Sequence, residues 1–276
     1  MTETLLFLAP PITACALVAL ILGYFGSHIL SRGIIFIDIA IAQIAALGTM
    51  IGLLLGLAEE SSEVQVISYL FTLIIIGGFA FLKKKDLFVP AEAVIGIIYC
   101  LGLALAILLA EHIPGGSNYI TKTITGNILW VTWDKVLKCG LMFAGVGVIH
   151  LVLGRQIAHI SQSGNSHSYS GSRTKLLDLI FYLTFGFVVV KAVLIGGIFV
   201  VFTLLIAPAS AAMLFNQSWK SRLIWSWIIG ISGSVAGILL SYFLNISNGP
   251  SIVVLLGSLV FIMAFVKIIV PKRKTA

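Results

Sequence analysis

The feature that most limits this chain is a series of unbroken apolar runs, each close to 20 residues long and separated by short polar breaks. A helix needs about 20 such residues to cross the hydrocarbon core of a bilayer, since each residue adds only about 1.5 Å of rise. The runs lie at residues 5–30, 34–57, 66–82, 91–110, 136–153, 177–195, 198–215, 223–244 and 252–270. Transmembrane β-strands would be shorter and would alternate apolar with polar residues, which these runs do not. Composition argues against a soluble fold of equal length: 59% of the 276 residues are hydrophobic and 10% are charged, against roughly 25% charged in soluble domains. The expected fold class is all-α, a polytopic transmembrane helix bundle of about 8–9 spans. It forms a single membrane domain over residues 1–276. The sixth and seventh runs touch at Gly196-Gly197 and read either as a tight hairpin or as a broken helix. Residues 1–3 lack the basic n-region of a cleaved signal peptide, so the first run is expected to remain as a helix.

Charge gives the direction. Lys and Arg collect on the cytoplasmic side of short loops. Arg32, Lys83, Lys84, Lys85, Arg155, Arg173, Lys175, Lys220, Arg222, Lys267, Lys272, Arg273 and Lys274 fall on one side, which is 13 of 17 basic residues. Glu59, Glu60, Glu63, Glu111 and Asp134 fall on the other, with Lys122, Lys135, Lys138 and Lys191. The N-terminus is therefore expected outside and the C-terminus inside. The net charge of +7 follows from this layout. It does not point to nucleic acid, because the basic residues are spread over several loops and form no stripe. Cys15, Cys100 and Cys139 each sit alone in an apolar run and read as buried small hydrophobes.

Several motor and enzyme signatures are absent. The chain has no Walker A sequence, no nucleophile-elbow pattern and no HExxH. No loop is long enough to hold a catalytic domain. Energy for active transport would come from a separate chain or from an ion gradient. The longest polar stretch, at about residues 155–176, is rich in Ser, Gly and Asn and reads as a flexible cytoplasmic loop.

Ionisable and polar groups inside spans mark functional candidates, because hydrocarbon disfavours them. Asp38 and Gln43 enter the second run. Five residues of helix separate them by about 7.5 Å of rise and about 140° of rotation, so they share a face only if the helix is distorted or a pathway curves. The competing reading has Asp38 snorkelling to the interface and Gln43 bonding a neighbouring helix. Glu92 follows Pro90 and reads as a cap on its own helix N-terminus. His28 and His150 read as packing or interfacial histidines, while His159, His167, Glu111 and His112 read as solvated loop groups. The pairs Gly77-Gly78 and Gly196-Gly197, and the set Gly230, Gly233 and Gly237, are expected to allow close helix approach.

Four further segments together resemble one family. Residues 197–212 read Gly-Ile-Phe-Val-Val-Phe-Thr-Leu-Leu-Ile-Ala-Pro-Ala-Ser-Ala-Ala, with Pro208 in the middle of its motif. Gly249-Pro250-Ser251 opens the last run. Thr125-Gly126-Asn127-Ile128-Leu129 is followed by Val131-Thr132, and Glu92-Ala93-Val94-Ile95-Gly96-Ile97 opens the fourth run. In this order they resemble the permease subunits of the ATP-binding-cassette transporters for zinc, manganese and iron, the ABC-3 family. Many members carry Asp-x-x-x-His in the second span. Aligned on Gly48, the histidine position here is Gln43 and the aspartate position is Ile39, with Asp38 one residue earlier. Glutamine offers a carbonyl oxygen, a harder and weaker ligand than imidazole.

The resemblance implies an importer for a divalent metal cation, which is cargo and not a resident cofactor. It implies a permease homodimer with the pathway at its two-fold axis, two ATP-binding subunits below, and an extracytoplasmic metal-binding protein above. It implies a bacterial cytoplasmic (inner) membrane location, in contact with lipid. Asp38 and Gln43 become pathway candidates. A short cytoplasmic helix near residues 209–222 becomes the element coupled to the ATPase, with Pro208, Asn216, Trp219, Lys220 and Arg222 as its candidate residues. The alternative is a secondary cation transporter driven by a proton or sodium gradient, with Asp38 as the titrating group.

Overall fold

The computed structural model describes residues 2–82, 89–162, 172–216 and 218–269. Lys83, Lys84, Lys85, His167, Lys272, Arg273 and Lys274 lie outside the described residues. Nine α-helices and one 3-10 turn follow in order, with no strand among the described residues. They are α1 (Thr2–Arg32), α2 (Ile37–Leu54), α3 (Ser62–Leu82), α4 (Ala91–Ala110), α5 (Gly116–Thr125), the 3-10 turn (Ile128–Trp130), α6 (Trp133–Gln162), α7 (Ser172–Phe215), α8 (Trp219–Leu244) and α9 (Asn248–Ile269). Seven of these helices are long and apolar enough to cross a membrane, and Ser62–Gly78 is a shorter apolar helix.

The helix α7 carries 44 residues and leaves helical geometry at Gly197, with φ 78 and ψ 166. Straight, it would hold Asp178 and Trp219 about 60 Å apart at 1.5 Å per residue. Instead both meet the end of α1. Arg32 reaches the Asp178 carboxylate at 2.7 Å, and His28, one turn earlier, packs its ring 4.7 Å from Trp219. The helix therefore folds back on itself at Gly196-Gly197, and the hairpin reading holds. Its two arms, residues 172–196 and 198–215, both line α1. The second arm comes so close that a Cβ on Gly26 would overlap the Leu205 carbonyl oxygen.

Around this hairpin the other helices pack by direction. Gly48 meets Ser68, and Gly52 meets Val64, so α2 and α3 run antiparallel. Gly102 meets Gln43 while Met50 and Ala106 share a small core, so α2 and α4 run parallel. Gly233 packs on Leu256 and Gly237 on Ile252, joining α8 to α9 antiparallel. The apolar segment of α2 is 78% buried, whereas that of α9 is 11% buried. The polar residues carried by α2 therefore lie inside the bundle, and α9 presents its apolar surface outward. The main core gathers Phe25, Phe181, Tyr182 and Phe185 between α1 and the first arm of α7.

Three details differ from the sequence expectations. The stretch expected as a flexible loop from residue 155 is helical through Gln162 and again from Ser172; only residues 163–171 of it lie outside the described set. Burial of one polar residue explains the extension, since Ser161 at the end of α6 is fully enclosed. A separate short helix within residues 209–222 is not seen: α7 continues to Phe215 and α8 starts at Trp219. Gly77 and Gly78 have open space where a Cβ would stand, so they bring no helices together within this chain.

Candidate functional site

Asp38 sits in the first turn of α2, because Gly33 (φ +66) ends the preceding segment and α2 starts only at Ile37. Its side chain is buried, and its Oδ1 has no hydrogen-bond partner. Glu92 does not cap its own helix. Its Oε1 accepts the backbone N–H of Ile35 at 2.6 Å, in the link that leads into α2, while Oε2 is buried without a partner. The reason is register: the α4 face that bears Glu92, Ile95 and Gly102 is the face turned to α2. Glu92 thus orients the segment that presents Asp38.

Gln43 is buried one and a half turns further along α2. It lines a narrow cleft with Ala106 of α4, Tyr119 and Thr123 of α5, and Ile198 at the start of the second arm of α7. The cleft is mostly apolar, with Gln43, Tyr119 and Thr123 as its polar groups. No group of three or more His, Cys, Asp or Glu side chains converges among the described residues. Among the described residues one chain therefore offers isolated oxygen donors along α2 and not a closed cage.

Above the cleft, three separate stretches of sequence meet as backbone. A Cβ on Gly126 (φ +74) would overlap the carbonyl oxygen of Gly196; one on Gly197 (φ +78) would overlap the Gly126 amide; one on Gly249 would overlap the Thr125 carbonyl oxygen. Only glycine permits both the left-handed backbone and this approach. The Gly126, Gly196-Gly197 and Gly249-Pro250 signals, far apart in sequence, are thus three sides of one junction.

At the other end of the bundle, the α7–α8 turn is closed by its own polar groups. Asn216 Oδ1 accepts from Ser221 Oγ at 2.6 Å, its carbonyl accepts from Arg222 Nε at 2.9 Å, and Ser218 Oγ accepts the Ser221 amide at 3.3 Å. Lys267 of α9 donates to the Leu214 carbonyl. Lys220 is exposed, and Trp219 turns inward to His28. Pro208 is buried two turns inside the second arm, where its ring packs on Gly230.

Sequence reading passed over a cluster beside this turn. Tyr24, His28 and Arg32 recur every four residues and form a stripe on α1. Arg32 Nη1 donates to Asp178 Oδ1 and Arg32 Nε to Ser161 Oγ at 2.9 Å, with the guanidinium 4.0 Å over the Phe181 ring. Ser161 Oγ spends its one proton on the Ile157 carbonyl, so it accepts from both Arg32 Nε and His28 Nδ1 at 2.9 Å. Thr184 likewise donates to Ile180, so His150 Nε2 donates to Thr184 Oγ1 at 2.8 Å and the Tyr24 hydroxyl donates to His150 Nδ1 at 3.0 Å. The four-residue spacing was the available signal; reading Arg32 only as a loop charge concealed it.

The folded-back helix, the buried polar α2 and the outward apolar faces define a multi-pass membrane protein. The chain belongs to the ABC-3 permease family: the profile of the ABC 3 transport family matches residues 4–268. It is similar to the manganese transport system membrane protein MntC of Halalkalibacterium halodurans, 26% identical over 94% of this chain and 86% of that one. It is similar to the manganese import system permease protein ScaB of Streptococcus gordonii, 25% identical over 97% and 93%. Its fold is that of a chain in the structure of PsaBC from Streptococcus pneumoniae in complex with Fab, with TM-score 0.73, 24% identity, and 94% and 91% coverage.

Proposed function

We propose that this chain is the membrane-spanning subunit of an ABC importer for a divalent metal cation, and that manganese is the first candidate among manganese, zinc and iron. The observation that carries this is the family match along nearly the whole chain, supported by two near full-length relatives named for manganese transport. With the α7 hairpin counted as two crossings and α3 as one, the bundle has nine spans. An odd number puts the termini on opposite sides, and the basic residues put the C-terminus in the cytoplasm.

In this reading two copies form the pathway at their two-fold axis in a bacterial cytoplasmic membrane, and two ATP-binding subunits lie below. An extracytoplasmic protein delivers the cation to the end that carries Gly126 and Gly197. Asp38 and Gln43 supply oxygen donors on the pathway, and Glu92 holds the start of α2 in place. Asn216, Lys220 and Arg222 form the turn coupled to the ATPase, Trp219 anchors it inward on His28, and Pro208 supports it from inside. The chain makes and breaks no covalent bond; it strips, holds and releases the ion.

The test is uptake of radioactive manganese by vesicles containing the chain, its ATPase and its binding protein. Uptake should require ATP, and Asp38→Ala and Gln43→Ala should each abolish it while the subunits still co-purify. Normal uptake by both variants would remove these residues from the pathway. Uptake that ignores ATP but collapses with a protonophore would favour the gradient-driven transporter.

A further inference from the structure

We propose that Arg32, together with Asp178, Ser161 and His28, is a positioning group that ties the α7–α8 turn to the α1–α6–α7 core, so that movement of the turn is passed on as one rigid displacement. The inference rests on the assignment of that turn to the ATPase side.

Geometry leads to it. Trp219 is the first residue of α8 and the only aromatic side chain of the turn that points into the bundle, where it meets the His28 ring edge-on at 4.7 Å. His28 is fully buried and shares Ser161 with Arg32. Arg32 is 3% exposed in its side chain and grips Asp178 at the foot of the first arm. Four helices, α1, α6, α7 and α8, thus meet through side chains that touch in sequence, Trp219 to His28 to Ser161 to Arg32 to Asp178. A push on Trp219 has no soft side chain to disperse into, because the cluster is backed by Phe25, Phe181 and Phe185.

The cluster is also incompletely paired. Arg32 Nη2 and His28 Nε2 are both buried without a hydrogen-bond partner. The proton count above leaves His28 Nε2 as an acceptor, and Arg32 Nη2 is a donor.

The test uses the complete assembly in proteoliposomes and reads cations imported per ATP hydrolysed. Arg32→Gln should lower this ratio at least tenfold while ATP turnover stays within about twofold and no longer rises with the loaded binding protein. Arg32→Lys, which keeps the charge but not the fork, should recover part of the ratio. Ser161→Ala, which removes one hydroxyl and leaves the fold, should lower it about threefold. If Arg32→Gln leaves the ratio unchanged, or import and turnover fall in parallel in both Arg32→Gln and Ser161→Ala, the cluster is structural only and the proposal fails. If the wild-type assembly shows no ATP-dependent import, the importer reading fails and this inference falls with it.

Discussion

The two ends of the bundle are joined by opposite means. At the Gly197 end, α5, α7 and α9 meet backbone to backbone, with glycine at each contact and no side chain between them. At the Arg32 end, α1, α6, α7 and α8 meet through a guanidinium, two imidazoles, hydroxyls and aromatic rings. Backbone contact leaves no rotamer to change, so that junction has one arrangement. Hydrogen-bonded side chains can exchange partners, and two of these hold unused nitrogen atoms. The difference teaches that the hairpin tip is fixed by backbone, whereas the opposite end is tied by side chains that a single substitution can release.

The comparison breaks first at the tip. Gly197→Ala or Gly126→Ala places a methyl into backbone and forces a residue with φ near +75 into the left-handed region. The expected loss is about 4 kcal/mol or more, seen as absence of folded protein in detergent. A thermal midpoint unchanged by either variant would remove the fixed point. A milder loss is expected at the other end. Thr184→Val leaves the His150 Nε2 proton buried without its acceptor at 2.8 Å, a cost of about 1–3 kcal/mol read by thermal unfolding. Gly77→Ala serves as the contrast for both, since nothing lies within 4 Å of the added methyl. Its midpoint should stay level or rise by the equivalent of up to about 1 kcal/mol; a large drop would mean that a partner surface covers Gly77.

The smallest effect is expected at the loop between α2 and α3. Glu60 bonds Lys135 at 2.7 Å and Glu59 bonds Lys122 at 2.7 Å, all of them exposed. The hydrogen bond and charge of Lys135 hold the Glu60 carboxyl below its ordinary 4.5. A lowered folded-state value means that the contribution is present above pH 4.5 and fades as pH falls below it. Solvent and salt screen such a pair, so Lys135→Ala should barely move the midpoint at pH 7. A clear fall that moderate salt does not diminish would show this loop to be a third firm junction.

Much of the architecture was legible because lipid asks one simple thing of sequence, length of apolar run. All nine runs correspond to helices, seven of them one for one and two as the arms of α7. The hairpin stayed undecided at Gly196-Gly197 because two glycines permit both a turn and a kink, and only the meeting of Asp178 and Trp219 with α1 chooses between them. Ser161 looked like loop because its neighbours are polar, yet a buried arginine needs its oxygen. Glu92 looked like a cap on its own helix because sequence shows only local neighbours; its partner, the Ile35 amide, lies across the helix interface. The pathway candidates Asp38 and Gln43 stood out as polar letters in an apolar run. The Arg32 cluster did not, since its members are spread from residue 24 to residue 184.

By itself, then, the sequence determined the solvent, the helical class, the approximate places of the spans and the family. These depend on composition and on short motifs that act through local backbone. Only the tertiary structure decided that α7 turns back, that three glycine signals form a single junction, and which buried charges have partners. Those are contacts between residues tens to hundreds of positions apart, and hydrogen-bond satisfaction cannot be counted until both atoms have a place.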